Sequence, residues 1–239
     1  MSVTDRVRGR KPAAAAVGAV AMLAAAGAAS AALGSFGAER PSLPGSLQRV
    51  EMGSEDIIDL ALREKRGLVV FRANRLRTTA HGAAAEALRD VGAPAGAVAE
   101  LERRTDRLAA LAPKAPFLTV ALAANHVFEL VPRLFARFGG RVPPTVLGID
   151  QLEFEAKLRS LAGEQAVVRK TVQKLARSWA AFREEVVAVG ADSVTRKFDT
   201  HVAAMKRLAG SSDRKALQAE ANHGLDLVDV LEGVFRRSR

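Results

Sequence analysis

After residue 54, apolar side chains recur three and four residues apart, and sustained two-residue alternation is absent, so the pattern predicts helices throughout. Ser54, followed by Glu55 and Asp56, reads as an N-cap with acids in the first turn of a long helix. That helix is expected to reach residue 90, loosened at Gly67. Gly92, Pro94 and Gly96 punctuate a turn, and helices over 96–112 and 117–138 follow, the latter kinked at Pro132. GGRVPPTVLG, residues 139–148, is a cluster of breakers and marks a boundary. Beyond it the spacing predicts a long helix over 149–189 with a break at Gly163, then helices over 192–209 and 213–236. The fold class expected is all-α, a helical bundle.

The order long helix, turn, helix, turn, helix occurs on both sides of the breaker cluster. Residues 123–131, AANHVFELV, return as EANHGLDLV at 220–228, 97 positions later. The chain has three Asn and four His, yet Asn125-His126 and Asn222-His223 fall in register. This predicts an internal duplication: two similar three-helix units over 54–145 and 146–239, packed as one bundle. Leu217, Ala221, Gly224, Val228, Leu231 and Phe235 are spaced 4, 3, 4, 3, 4. Their counterparts are Val120, Ala124, Val127, Val131, Leu134 and Phe138. A seam of that period predicts core packing. Leu175, Trp179, Phe182 and Val186 form a second such stripe.

The first 38 residues follow a different rule. A basic opening, MSVTDRVRGRKP, precedes the uncharged run Ala13–Ala38, which is rich in Ala and Gly. This is the pattern of a secretory signal, with Ala29-Ser30-Ala31 as a cleavage site, or of a single membrane anchor. Basic residues before the run place the remainder outside the cytoplasm, secreted or tethered. Residues 39–53 then read as a linker.

Charge and composition narrow the chemistry. A formal net charge of +10 attracts anionic polymers or lipid surfaces, although arginine runs such as Arg169, Lys170, Lys174 and Arg177 are expected to be solvated faces. The absence of cysteine excludes disulfides, thiol nucleophiles and thiolate zinc sites. Without Tyr and with few other aromatics, the chain lacks a base-stacking platform, which argues against nucleic acid.

The repeated phrase supplies the candidate ligands. His126 with Glu129, and His223 with Asp226, are i, i+3 neighbours, with His223 at the flank of the apolar face and Asp226 nearly opposite its centre. Imidazole plus carboxylate suits a divalent transition metal, and four such groups would make a symmetric site. Against that reading, Arg133 and Arg137 share the flank of His126, and local surface contacts account for each pair. Glu220 and His223 match the Glu-x-x-His spacing of di-iron bundles once, but the counterpart of Glu220 is Ala123. His81 and His201 stand alone in their helices and are expected to be solvated or at the core edge. There is no HExxH, G-x-S-x-G or P-loop. The expectation is a non-enzymatic binding module, ligand-sensing or partner-docking, with no resident cofactor and with a protein as its partner.

Overall fold

The computed structural model describes residues 40–238; the signal or anchor expected over 1–38 lies outside them. Among these described residues ten α-helices run in order: α1 (Gly45–Leu62), α2 (Arg66–Thr79), α3 (Ala85–Asp90), α4 (Ala95–Leu111), α5 (Phe117–Phe128), α6 (Val131–Phe135), α7 (Pro144–Leu161), α8 (Gln165–Ala188), α9 (Asp192–Ala209) and α10 (Arg214–Arg237). A single π-helical turn, Ala80–Ala84, joins α2 to α3 and is kinked at Gly82. The fold is an all-α bundle, as the spacing predicts.

Each half has four helix positions rather than three, because both long helices break. In the first, α1 stops at Leu62 and α2 starts at Arg66; in the second, α7 stops at Leu161 and α8 starts at Gln165. The breaks are built alike. Glu64 and Gly163 both take the left-handed conformation, with φ of 56° and 76°. After Glu64, the Lys65 N–H donates back to Leu60 O at 2.9 Å; after Gly163, the Glu164 N–H donates to Arg159 O at 2.9 Å. This is a Schellman-type stop. Gly92 and Gly190, with φ of 66° and 77°, end α3 and α8 by the same device. Left-handed backbone costs an L-residue about 1–2 kcal/mol, and glycine avoids that cost. Glu64→Gly is therefore expected to raise stability, and Gly163→Ala to lower it, each by about 1 kcal/mol in urea titration.

Neighbour relations repeat between the halves. α1 packs on α2 and α5, α2 on α4, and α4 on α5; α7 packs on α8 and α10, α8 on α9, and α9 on α10. α5 and α6 also pack on α7, which joins the halves. All twelve seam positions are buried. Each half has its own apolar cluster, and α7 serves both: Leu147, Phe154 and Leu158 enter the first, Val146, Ile149 and Ala156 the second. In the second cluster Trp179 stacks on Phe198 with centroids 4.4 Å apart, and its indole N–H donates to Asp199 at 2.8 Å.

The linker expected over 39–53 is largely helix. Leu47, Val50, Ile57, Ile58 and Ala61 are buried at helical spacing, so core packing carries α1 back to Gly45. Ser54 is not an N-cap; it lies buried mid-helix, its hydroxyl donating to Val50 O at 2.8 Å. The helix expected over 117–138 is also divided, with α5 ending at Phe128 and α6 starting at Val131. Pro132 lacks the N–H that Phe128 O would accept, and its ring crowds that carbonyl. Phe117–Phe135 is long and apolar enough to cross a membrane, but half of it is buried within the bundle.

Candidate functional site

Side chains from α1, α7 and α10 line a cleft of about 1030 Å³, with the loop before α7 along its edge. The loop is pinned in place by the segment just before α1. The Gly139 N–H donates to Pro41 O at 2.9 Å, and a Cβ at Gly139 would lie 3.2 Å from Arg40 O. Six carboxyl groups reach the cleft: Glu51, Glu55, Asp150, Glu185, Asp229 and Glu232. Three guanidinium groups, Arg40, Arg141 and Arg236, oppose them. Arg236 is already ion-paired with Glu232 along α10. A chain of net positive charge thus carries an acid-rich hollow.

Asp150 is the centre of this arrangement. It is 8 % exposed, lines the cleft, and among the described residues no N–H or hydroxyl donor hydrogen-bonds it. Its neighbour is another carboxyl, Glu55, which can hydrogen-bond it only when one of the two holds a proton. Burial, followed by repulsion from Glu55, Glu232 and Asp229, pushes the Asp150 carboxyl well above its ordinary range. Burial and the neighbouring Glu51, Glu232 and Asp229 charges raise Glu55 to about 8. Burial and Glu232 raise Glu51 to about 7.

The sign of the pH effect follows. Groups with folded-state values above their unfolded ones hold extra protons in the folded state, so stability is full in acid and falls as pH rises through 7 and 8. Asp150→Asn is expected to raise the melting temperature at pH 8 and to flatten its decline between pH 5 and 8. A variant less stable than the parent at pH 8 would count against the charge argument.

A second polar group lies wholly inside the second half. Glu153 of α7, His201 of α9 and Glu220 of α10 form a chain, with Nε2 of His201 2.7 Å from Glu153 Oε1 and Nδ1 2.8 Å from Glu220 Oε1. Glu153 is fully buried and His201 nearly so, against the expectation of a solvated or core-edge His201. Burial opposes charge on the ring, but the two carboxylates outweigh it and hold its pKa above the ordinary value. Burial raises Glu153, partly offset by His201. Among the described residues the Oε2 atom of Glu153 has no hydrogen-bond partner. In the sequence His201 stands alone in its helix because its two carboxylates come from two other helices.

The residues singled out by the repeated phrase disperse. The His126 Nε2 lies 3.4 Å from the Arg159 guanidinium, beside Arg104, whose Nη1 donates to Glu129 at 2.7 Å. His223 and Asp226 are exposed, His223 with its ring 6.0 Å from that of His201. Among the described residues no three His, Asp or Glu side chains are placed to hold a metal, so His126, Glu129, His223 and Asp226 do not converge. The Asn residues part company too. Asn125 is buried and donates to Glu155 of α7 at 2.7 Å, tying the halves together, whereas Asn222 is exposed. His81 pairs with Asp106 at the surface, at 2.9 Å. No protein-family model, no curated protein and no solved structure matches this chain.

Proposed function

We propose that the protein is a ligand-binding helical module and that the acid-lined cleft takes a positively charged molecule. Asp150 carries this reading. A buried carboxyl whose side-chain partner is another acid, here Glu55, destabilises the fold once both are ionised, and such groups cluster where their charge is used. A bound cation would offset the negative charge of Asp150 and relieve its repulsion with Glu55, Asp229 and Glu232. The basic N-terminal opening and the uncharged run after it support an extracytoplasmic module, secreted or tethered, that works through a partner protein. Binding to anionic polymer has less support, because Arg103, Arg104 and Arg159 are engaged by Glu100, Glu129, Glu155 and Glu164.

The test is thermal unfolding of the full chain with matched ligands of opposite sign. Putrescine is expected to raise the melting temperature at pH 8, and succinate to leave it unchanged. Stabilisation by polyphosphate or succinate without any response to a cation would sink the reading.

A further inference from the structure

The outer side of α2 carries a pattern that packing of the bundle does not use. We infer that it is a docking face for a lipid bilayer bearing anionic headgroups, an inference independent of what the cleft binds.

The helix sorts into two stripes. Val69, Ala73 and Leu76, spaced 4 and 3, are buried and hold α2 against α1 and α4. Leu68, Phe71, Arg72 and Arg75 stand at i, i+3, i+4 and i+7, and all four are exposed. A turn of about 100° per residue sets Phe71 opposite the buried stripe, with Arg72 on one flank and Arg77 on the other. Leu68 is 53 % exposed and Phe71 54 %. Among the described residues Phe71 is the one exposed phenylalanine, so the chain gives up burial here that it takes elsewhere.

Charge selects the partner. α2 contains four arginines and no acid. Arg66 is turned inward, donating to Ala112 O at 2.7 Å with its guanidinium 3.9 Å from the centre of the Phe117 ring. The other three face outward. Arg72 reaches Asp56 only at 3.7 Å, and among the described residues Arg75 and Arg77 pair with no carboxylate. The Arg75 guanidinium instead lies 5.6 Å from the centre of the Phe71 ring, which keeps cation and ring side by side at the surface. This sets the face apart from Arg103, Arg104 and Arg159, which acids already occupy.

An anionic bilayer answers both parts of the pattern. Phe71 and Leu68 can enter the boundary between headgroups and acyl chains, while the flanking guanidinium groups donate to lipid phosphates. An acidic protein would match the charge alone. A stable protein interface buries about 800 Å² per partner around an apolar centre, and two half-exposed side chains do not supply one. The uncharged run over 13–38, read as an export signal or anchor, supports a membrane as the surface at hand.

The chain has no cysteine, so Thr78→Cys gives the full chain a single attachment point for a polarity-sensitive dye, seven residues from Phe71 on the same outer stripe. Val230→Cys, at an exposed position of α10, is the control. Vesicles of phosphatidylcholine mixed with phosphatidylglycerol are expected to shift the emission at position 78 to shorter wavelength and to leave position 230 unchanged. High salt is expected to reverse the shift. Phe71→Ser, and separately Arg72→Gln with Arg75→Gln, are each expected to weaken vesicle binding at position 78 about tenfold or more. Circular dichroism of each variant verifies the fold. An equal shift with phosphatidylcholine alone overturns the assignment of anionic lipid. A shift with polyglutamate in place of vesicles overturns it in favour of an acidic protein. No shift at position 78, or an equal one at position 230, removes the docking face.

Discussion

Replacing His201 with leucine is expected to cost about 3–5 kcal/mol, the range for a buried charge stripped of its partner. The imidazole bridges Glu153 and Glu220 across three helices, and Glu153 has no access to water. Without the ring, Glu153 must either keep a charge in an apolar interior or take up a proton. Proton uptake is easy in acid and unfavourable in base, so the loss should be larger at pH 8 than at pH 5. Urea titration at the two values checks this. A double change, His201→Leu with Glu153→Leu, removes both ends of the interaction and should recover most of the loss. Were the single variant within about 1 kcal/mol of the parent, the bridge would be worth no more than a surface pair.

The second large effect is expected at Gly224. A Cβ built there would lie 2.5 Å from Cδ of Glu153, 2.7 Å from its Oε2, and 2.7 Å from Nε2 of His201. No side chain can be seated at those separations without moving α10 or breaking the bridge. Gly224→Ala should therefore destabilise by about 1–3 kcal/mol, the usual range for overpacking. In the register set by the repeated phrase and the two left-handed turns, Val127 stands where Gly224 does and Ser54 where Glu153 does. Gly224→Ala should accordingly cost much less in a Glu153→Ser background, and equal costs in both backgrounds would refute the steric account.

These two positions mark the limit of what the chain declares in one dimension. The helices were legible because their buried stripes are regular: Leu217 to Phe235 and Val120 to Phe138 keep their spacing, and all twelve are buried. Gly224 sits on that stripe as though it were one more core residue. Its reason for being glycine is a carboxylate from a helix some seventy residues earlier, which periodicity cannot reveal. Ser54 misled for a related reason. It has the chemistry of a helix cap, but burial of Leu47 and Val50 extends α1 past it, and tertiary packing outweighs a local preference. The cleft was hidden as well, since Glu55, Asp150 and Asp229 are unremarkable until three helices bring them together. The repeated Asn-His phrase does not carry the same chemistry twice, for Asn125 bonds Glu155 while Asn222 meets solvent.

The lone tryptophan turns this architecture into an optical instrument. The chain has no Tyr, so ultraviolet emission excited near the red edge comes from Trp179 alone, stacked on Phe198 in the second apolar cluster. Far-ultraviolet ellipticity, by contrast, sums the helices of both clusters. Superimposable melting traces would mean that the halves unfold as a single cooperative body, and displaced traces would measure how independently each can stand.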